Sequence, residues 1–141
     1  MTVPEPARAV HLRPAMLAVV AVGGAVGTAA REALVLVVPP LGGLPLAILL
    51  INLSGAFVLG LLLEALLRRG PDQGPRRLAR LALGTGFCGG FTTYSTLAVG
   101  TAGLLRDGTI GLGIGYAVGS VLLGAVAAWA GVQLGARGAR R

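Results

Sequence analysis

Leu83 to Leu97 reads L-G-T-G-F-C-G-G-F-T-T-Y-S-T-L, and its behaviour inside an apolar segment decides the fold. A bilayer-spanning helix should be most regular at such a place. Instead Gly84, Gly86, Gly89 and Gly90 arrive together, followed at once by Thr92, Thr93, Ser95 and Thr96. Each interior glycine costs a helix about 1 kcal/mol relative to alanine, so four of them predict a local break. In lipid a break strands backbone carbonyls and amides, which is tolerated only where they are buried in protein or bind something. The stretch therefore reads as backbone dipoles and a row of hydroxyls held at membrane depth, the signature of an ion or small-solute site.

Outward from that stretch, the composition excludes a water-soluble domain. Of 141 residues 55% are hydrophobic and only 12% charged, too little polar surface for a soluble domain of this size. The net charge of +7 comes from twelve arginines and five acids, without lysine. These arginines flank apolar runs and are not interleaved with aromatics, so they fit a membrane surface and not nucleic acid. Cys88, the single cysteine, excludes an internal disulfide and reads as a small apolar residue.

Four spans are expected, each at least the ~20 residues that cross the hydrocarbon core: Ala15 to Val38, Leu46 to Leu67, Leu78 to Leu105 and Ile110 to Leu134. A basic head and a T-A-A at Thr28 to Ala30 also fit a cleaved signal peptide, but the later segments look polytopic. Pro39, Pro40, Gly42, Gly43 and Pro45 make a turn, Arg68 to Arg80 a basic loop, and Arg106, Asp107 and Gly108 a tight turn. The chain divides into an N-terminal segment over 1–13, a four-helix transmembrane domain over 14–136 and a basic tail over 137–141. With four crossings, the termini and the middle loop share one side. That side holds ten arginines, including Arg8, Arg140 and Arg141, against Arg31 and Arg106 on the other. The bias predicts a multi-pass plasma-membrane protein with both termini in the cytoplasm.

Gly23 and Gly27, and again Gly111, Gly115 and Gly119, repeat every four residues. Such spacing allows close approach of helices, within a chain or between copies. Four helices hardly enclose a polar path alone, which favours oligomerisation. Asn52 reads equally as interhelical glue and as a donor lining a pathway. Arg31 and Glu32 lie near a span end, where they can snorkel or pair with each other, and Glu64 is likewise near an interface. Tyr116 and Ser120 share a helix face; the tyrosine reads as an interface anchor and the serine as deep enough to line a path or to back-bond to its own helix. His11 and Trp129 carry no specific signal. There is no nucleotide loop, no metal-ligand cluster and no nucleophile with a base, so an enzyme is not expected.

These motifs resemble the fluoride-specific ion channels of the Fluc or CrcB family over all four spans. G-G-A-V-G-T-A-A-R at Gly23 to Arg31, N-L-S-G-A-F-V-L-G at Asn52 to Gly60 and G-F-C-G-G-F-T-T-Y-S-T-L at Gly86 to Leu97 carry the resemblance, the last most specifically. It implies an all-α membrane protein with its third helix broken near mid-membrane, working as an antiparallel dimer with two fluoride pathways. It further implies a structural, untransported sodium ion at the dimer centre, held by carbonyls of Gly89 and Thr92. The implied pore-facing amide is Asn52, the hydroxyl track Ser95, Thr96 and Ser120, and the vestibule arginine Arg31. The chain departs from the family where two phenylalanines are expected to turn their ring edges toward the anion. Tyr94 and Leu97 stand there, and Leu97 offers no ring edge.

Ten arginines against two is a poor balance for a subunit that must insert both ways. It predicts half of a heterodimer with a related, oppositely oriented subunit, one pathway being compromised by Leu97. The expected activity is passive fluoride export that lowers cytoplasmic fluoride: HF enters neutral, dissociates inside, and the anion leaves down its gradient. Two other readings remain at this stage, a small multidrug-type proton-coupled antiporter and a non-conducting structural subunit. The first needs a membrane-central carboxylate, which neither Glu32 nor Glu64 supplies.

Overall fold

A computed structural model describes residues 13–138. The expectations placed on Arg8, His11, Arg140 and Arg141 lie outside these described residues. The chain forms α1 (Pro14–Val37), α2 (Leu46–Arg68), α3 (Gly74–Ala79), a π-helical segment (Arg80–Cys88), α4 (Gly89–Phe91), α5 (Tyr94–Arg106) and α6 (Ile110–Gly138). Among the described residues there is no strand, only an isolated bridge between Leu41 and Leu44.

Helix ends follow local chemistry. Proline occupies the first turn of α1, where its missing N–H is no loss. Between α1 and α2, Leu41 and Leu44 exchange backbone hydrogen bonds of 3.1 and 3.0 Å. The two-residue loop this closes needs positive φ twice, and Gly42 (58°) and Gly43 (84°) supply it. The basic loop is shorter than the arginine run suggests. Helix resumes at Gly74, so Arg76 and Arg77 lie on α3 and Arg80 opens the π-helical segment.

α1, α2 and α6 are long and apolar enough to cross a membrane. At 1.5 Å per residue each exceeds the ~30 Å hydrocarbon core. Their outward faces carry large apolar side chains left open, among them Val22, Leu36, Val121, Leu122 and Trp129, a surface suited to lipid and not to water. The chain is a multi-pass membrane protein.

α2 packs chiefly along α6, and α1 along the π-helical segment and α4, while α5 returns against α6. Both main pairings are made backbone to backbone at glycines. A Cβ at Gly27 would strike the Phe87 carbonyl, and one at Gly86 would lie 2.8 Å from Val20 O and 3.0 Å from Gly23 Cα. Gly60 and Gly131 do the same for α2 and α6, against Ala128 O and Phe57 O. In lipid such close packing replaces the hydrophobic effect. The small buried core sits where α2, α4, α5 and α6 meet: Ala47, Ile48, Ile51, Phe91, Leu97, Leu104 and Tyr116.

The glycine-rich stretch does not break where its glycines are. Gly84 and Gly86 lie in the π-helical segment, Gly89 and Gly90 in α4, and none of the four has a positive φ. The backbone turns extended only at Thr92 (ψ 156°) and Thr93 (φ −150°, ψ 124°). At Gly86 and Gly90 the missing side chain serves close docking onto α1, against Val20 O and Gly24 O, whereas Gly84 lies beside leucines of α2 and Gly89 faces open space.

Candidate functional site

Asn52, half-buried on α2, faces the break and brackets the backbone of one residue, Thr93, from both sides of its Cα. Its Nδ2 donates to Thr93 O at 2.9 Å, and its Oδ1 accepts from Thr93 N at 2.8 Å. A polar side chain at membrane depth thus satisfies the groups a break would strand. Thr93 itself is buried, at 8% exposure. Its Oγ1 caps α5 by accepting from Thr96 N at 3.3 Å, and lies 3.1 Å from both Ser95 Oγ and Thr96 Oγ1. Just before the break, Thr92 N and Thr92 Oγ1 both donate to Cys88 O, at 2.9 and 2.8 Å.

A continuing helix would give the carbonyls of Gly89, Gly90, Phe91 and Thr92 the N–H groups four residues on. Thr93 N–H goes instead to Asn52, and Thr96 N–H to the Thr93 hydroxyl. The carbonyls of Gly89 and Thr92 thereby lose the partners a helix would supply. Gly90 O is answered from α1 by Thr28 Oγ1 at 3.4 Å. Gly89 is exposed and has nothing within 4 Å of where a Cβ would project.

Beside the bracket lies a cleft of about 330 Å³. Asn52, Thr92, Thr93, Tyr94, Leu97 and Ser120 line it with small and apolar residues of α2 and α6, and no charged side chain. Of the residues singled out from the sequence, Asn52, Thr92, Tyr94, Leu97 and Ser120 therefore share one cavity. Tyr94 is 81% exposed, whereas Leu97 is turned into the core. Ser95 and Thr96 sit exposed on the first turn of α5, outside the lining, with their hydroxyls on Thr93. Arg31 is half-buried on α1, absent from the cleft walls, and pairs with Glu32 at 3.4 Å. A second groove, about 480 Å³, opens between the ends of α2 and α6 at Arg69 and Arg137 and contains none of these residues.

Two features escaped the sequence reading. Thr93 is the hub of the break; its signal was a threonine directly before a helix, three residues ahead of Thr96, the position of an N-cap. Tyr116 is not an interface anchor but a core residue. Its hydroxyl and that of Ser120, one turn apart on α6, are both buried without a hydrogen-bond partner among the described residues. Buried orphan hydroxyls call for a water or an ion.

Residues 18–132 match the family model described as CrcB-like protein, Camphor Resistance (CrcB). The chain is 50% identical over 133 residues to the fluoride-specific ion channel FluC 2 of Leifsonia xyli, covering 94% of this chain and 92% of that protein. It is 49% identical over 122 residues to the fluoride-specific ion channel FluC of Deinococcus radiodurans, covering 83% and 92%. With FluC 1 of Cutibacterium acnes it shares 46% over 118 residues, covering 83% and 82%. On a match spanning most of its length and relatives this similar end to end, the chain belongs to the CrcB family of membrane proteins.

Proposed function

We propose that this chain is one subunit of a fluoride-selective channel through which fluoride leaves the cytoplasm passively. The observation that carries the reading is the uncharged, donor-bearing cleft beside the break, walled by Asn52, Thr92, Thr93 and Ser120. Relatives named as fluoride-specific ion channels support it. Fluoride is small and strongly hydrated, so a pathway must replace its water with hydrogen-bond donors. The Asn52 amide and the Ser120 hydroxyl do so without a fixed positive charge that would hold the ion. Tyr94 adds a ring edge, Ser95 and Thr96 extend the hydroxyl track, and Arg31 stands at the vestibule.

The carbonyls of Gly89 and Thr92 are assigned to a structural sodium ion. Their donor set fits it. Both are hard oxygen donors deprived of their helical N–H partners, the kind of broken-helix carbonyl that coordinates sodium. When bound, sodium supplies a fixed positive field beside the anion path. The broken helix from Gly74 to Arg106 is taken as the remaining crossing, and the arginine bias puts both chain ends in the cytoplasm.

A single subunit leaves Tyr94, Ser95 and Thr96 open, and Gly111, Gly115 and Gly119 have no neighbour within reach of an added Cβ. An inverted second subunit would cover them, and the arginine asymmetry favours a related paralogue over an identical copy. The antiporter reading gains nothing, since Glu32 and Glu64 are paired with Arg31 and Arg68. Efflux from liposomes carrying the chain, alone and with its oppositely oriented relative, tests the proposal. Fluoride loss without chloride loss, dependent on sodium, is expected. Equal release of both halides, or none with either preparation, refutes it.

A further inference from the structure

Asn52 was singled out as a donor to the pathway, yet most of its hydrogen-bonding capacity is spent on the backbone. An amide side chain has two N–H donors and one carbonyl oxygen. Here the oxygen and one N–H are committed to Thr93, at 2.8 and 2.9 Å. The opposite rotamer would set oxygen against oxygen and N–H against N–H, so the orientation is fixed by its partners. One N–H remains for the cleft whose wall Asn52 forms.

The committed bonds have a consequence on the other side of the break. Asn52 removes the N–H that would close on Gly89 O, and the Thr93 hydroxyl removes the N–H that would close on Thr92 O. Two side-chain captures thus open the same two carbonyls that the sodium reading requires. Without them, a helix through Thr92 and Thr93 would satisfy both carbonyls internally and leave no cation donors. We infer that Asn52 and Thr93 form a latch that holds the cation site open, and that Asn52, bonded to Thr93 next to the assigned carbonyls and lining the cleft, ties sodium binding to the anion cleft. This rests on the sodium reading above and goes beyond it, since the latch atoms are other than the two carbonyls assigned to sodium.

The test uses the reconstituted full-length channel, with its partner subunit if one is required. Sodium is titrated against N-methylglucamine, and two half-saturating concentrations are read: one for thermal stabilisation in detergent, one for fluoride efflux. Asn52→Leu and Thr93→Val remove the latch atoms at nearly constant volume. Each should raise half-saturating sodium about tenfold in both readouts, as expected for losing a buried hydrogen-bond partner. Thr93→Ser keeps the hydroxyl and should restore the wild-type value. Ser120→Ala, in the cleft but outside the latch, should lower efflux without moving half-saturating sodium. If Asn52→Leu fails to assemble, the Thr93→Val and Thr93→Ser pair decides. A sodium response in the wild type that both Asn52→Leu and Thr93→Val leave unchanged overturns the latch alone. No sodium response in the wild type overturns the sodium reading and the latch with it.

Discussion

At the scale of single residues, Thr93 is the point where local and distant chemistry meet. Its hydroxyl accepts from an amide three residues later, as any N-cap would. Its backbone N–H and C=O are both held by a side chain 41 residues earlier. The sequence displays the hydroxyl row but not which hydroxyl is the hub, because a row of Thr and Ser looks alike until a helix starts at one of them. Asp72 in the basic loop offers a simpler case. The Arg80 guanidinium, bonded to both its carboxylate oxygens at 3.0 and 2.9 Å, holds its pKa below the ordinary 3.8; desolvation opposes this, and the charges of Arg80 and Arg77 add to the lowering. A depressed folded pKa means that the stabilisation is present above the ordinary value and lost as pH falls through the folded one. The pair is exposed, so the effect is modest and screened by salt. Amide exchange over Gly74 to Arg80 should accelerate, beyond its intrinsic pH trend, as pH drops from about 6 to about 3. Asp72→Asn should abolish that excess; an unchanged profile would remove Asp72 from the account.

At the scale of elements, the same residue type does opposite work on different helices. Gly27 lets α1 lie against the Phe87 carbonyl and the Phe91 amide, whereas Gly115 faces open space in the subunit. Gly27→Ala gains about 1 kcal/mol of helix propensity but must displace backbone, at a cost of about 1–3 kcal/mol, so net destabilisation is expected. Gly115→Ala should stabilise the subunit by about 1 kcal/mol. Reversible unfolding in mixed micelles measures both, and equal shifts would contradict the packing. Gly115→Leu should weaken dimer formation in cross-linking if that stripe faces a second subunit; an unaffected dimer would place the contact elsewhere. The four-residue spacing was legible in both helices, but only the neighbours distinguish internal packing from an open face.

At the scale of the whole molecule, charge and apolar surface set how the chain sits in its membrane. The ten-to-two arginine count predicts one fixed insertion with cytoplasmic ends. Cys88 is fully buried, so a cysteine added at the C-terminus can be labelled on an otherwise native chain. Labelling only from the cytoplasmic side is expected. Comparable labelling from both sides would reject the fixed orientation and restore an identical, inverted partner.

The sequence by itself determined the class, the limits of the first two long helices, and the polar stretch on which the site is built, but not the start of helix at Gly74 inside the expected basic loop or the end of α6 at Gly138. Apolar runs long enough for the hydrocarbon core, and Pro and Gly at their ends, act through local physics that any short window contains. α1 accordingly runs from Pro14 to Val37 where Ala15 to Val38 was expected, and α2 starts at Leu46 as read. The tertiary structure alone decided that Gly86 and Gly90 dock onto α1 and that the threonines break the helix. A glycine's propensity cost is small and local, while contact with α1 and the reach of Asn52 to Thr93 join segments far apart in the chain. The Thr93 N–H that a continuing helix would give to the Gly89 carbonyl goes to an amide on another helix, and no reading of the stretch in isolation contains that amide.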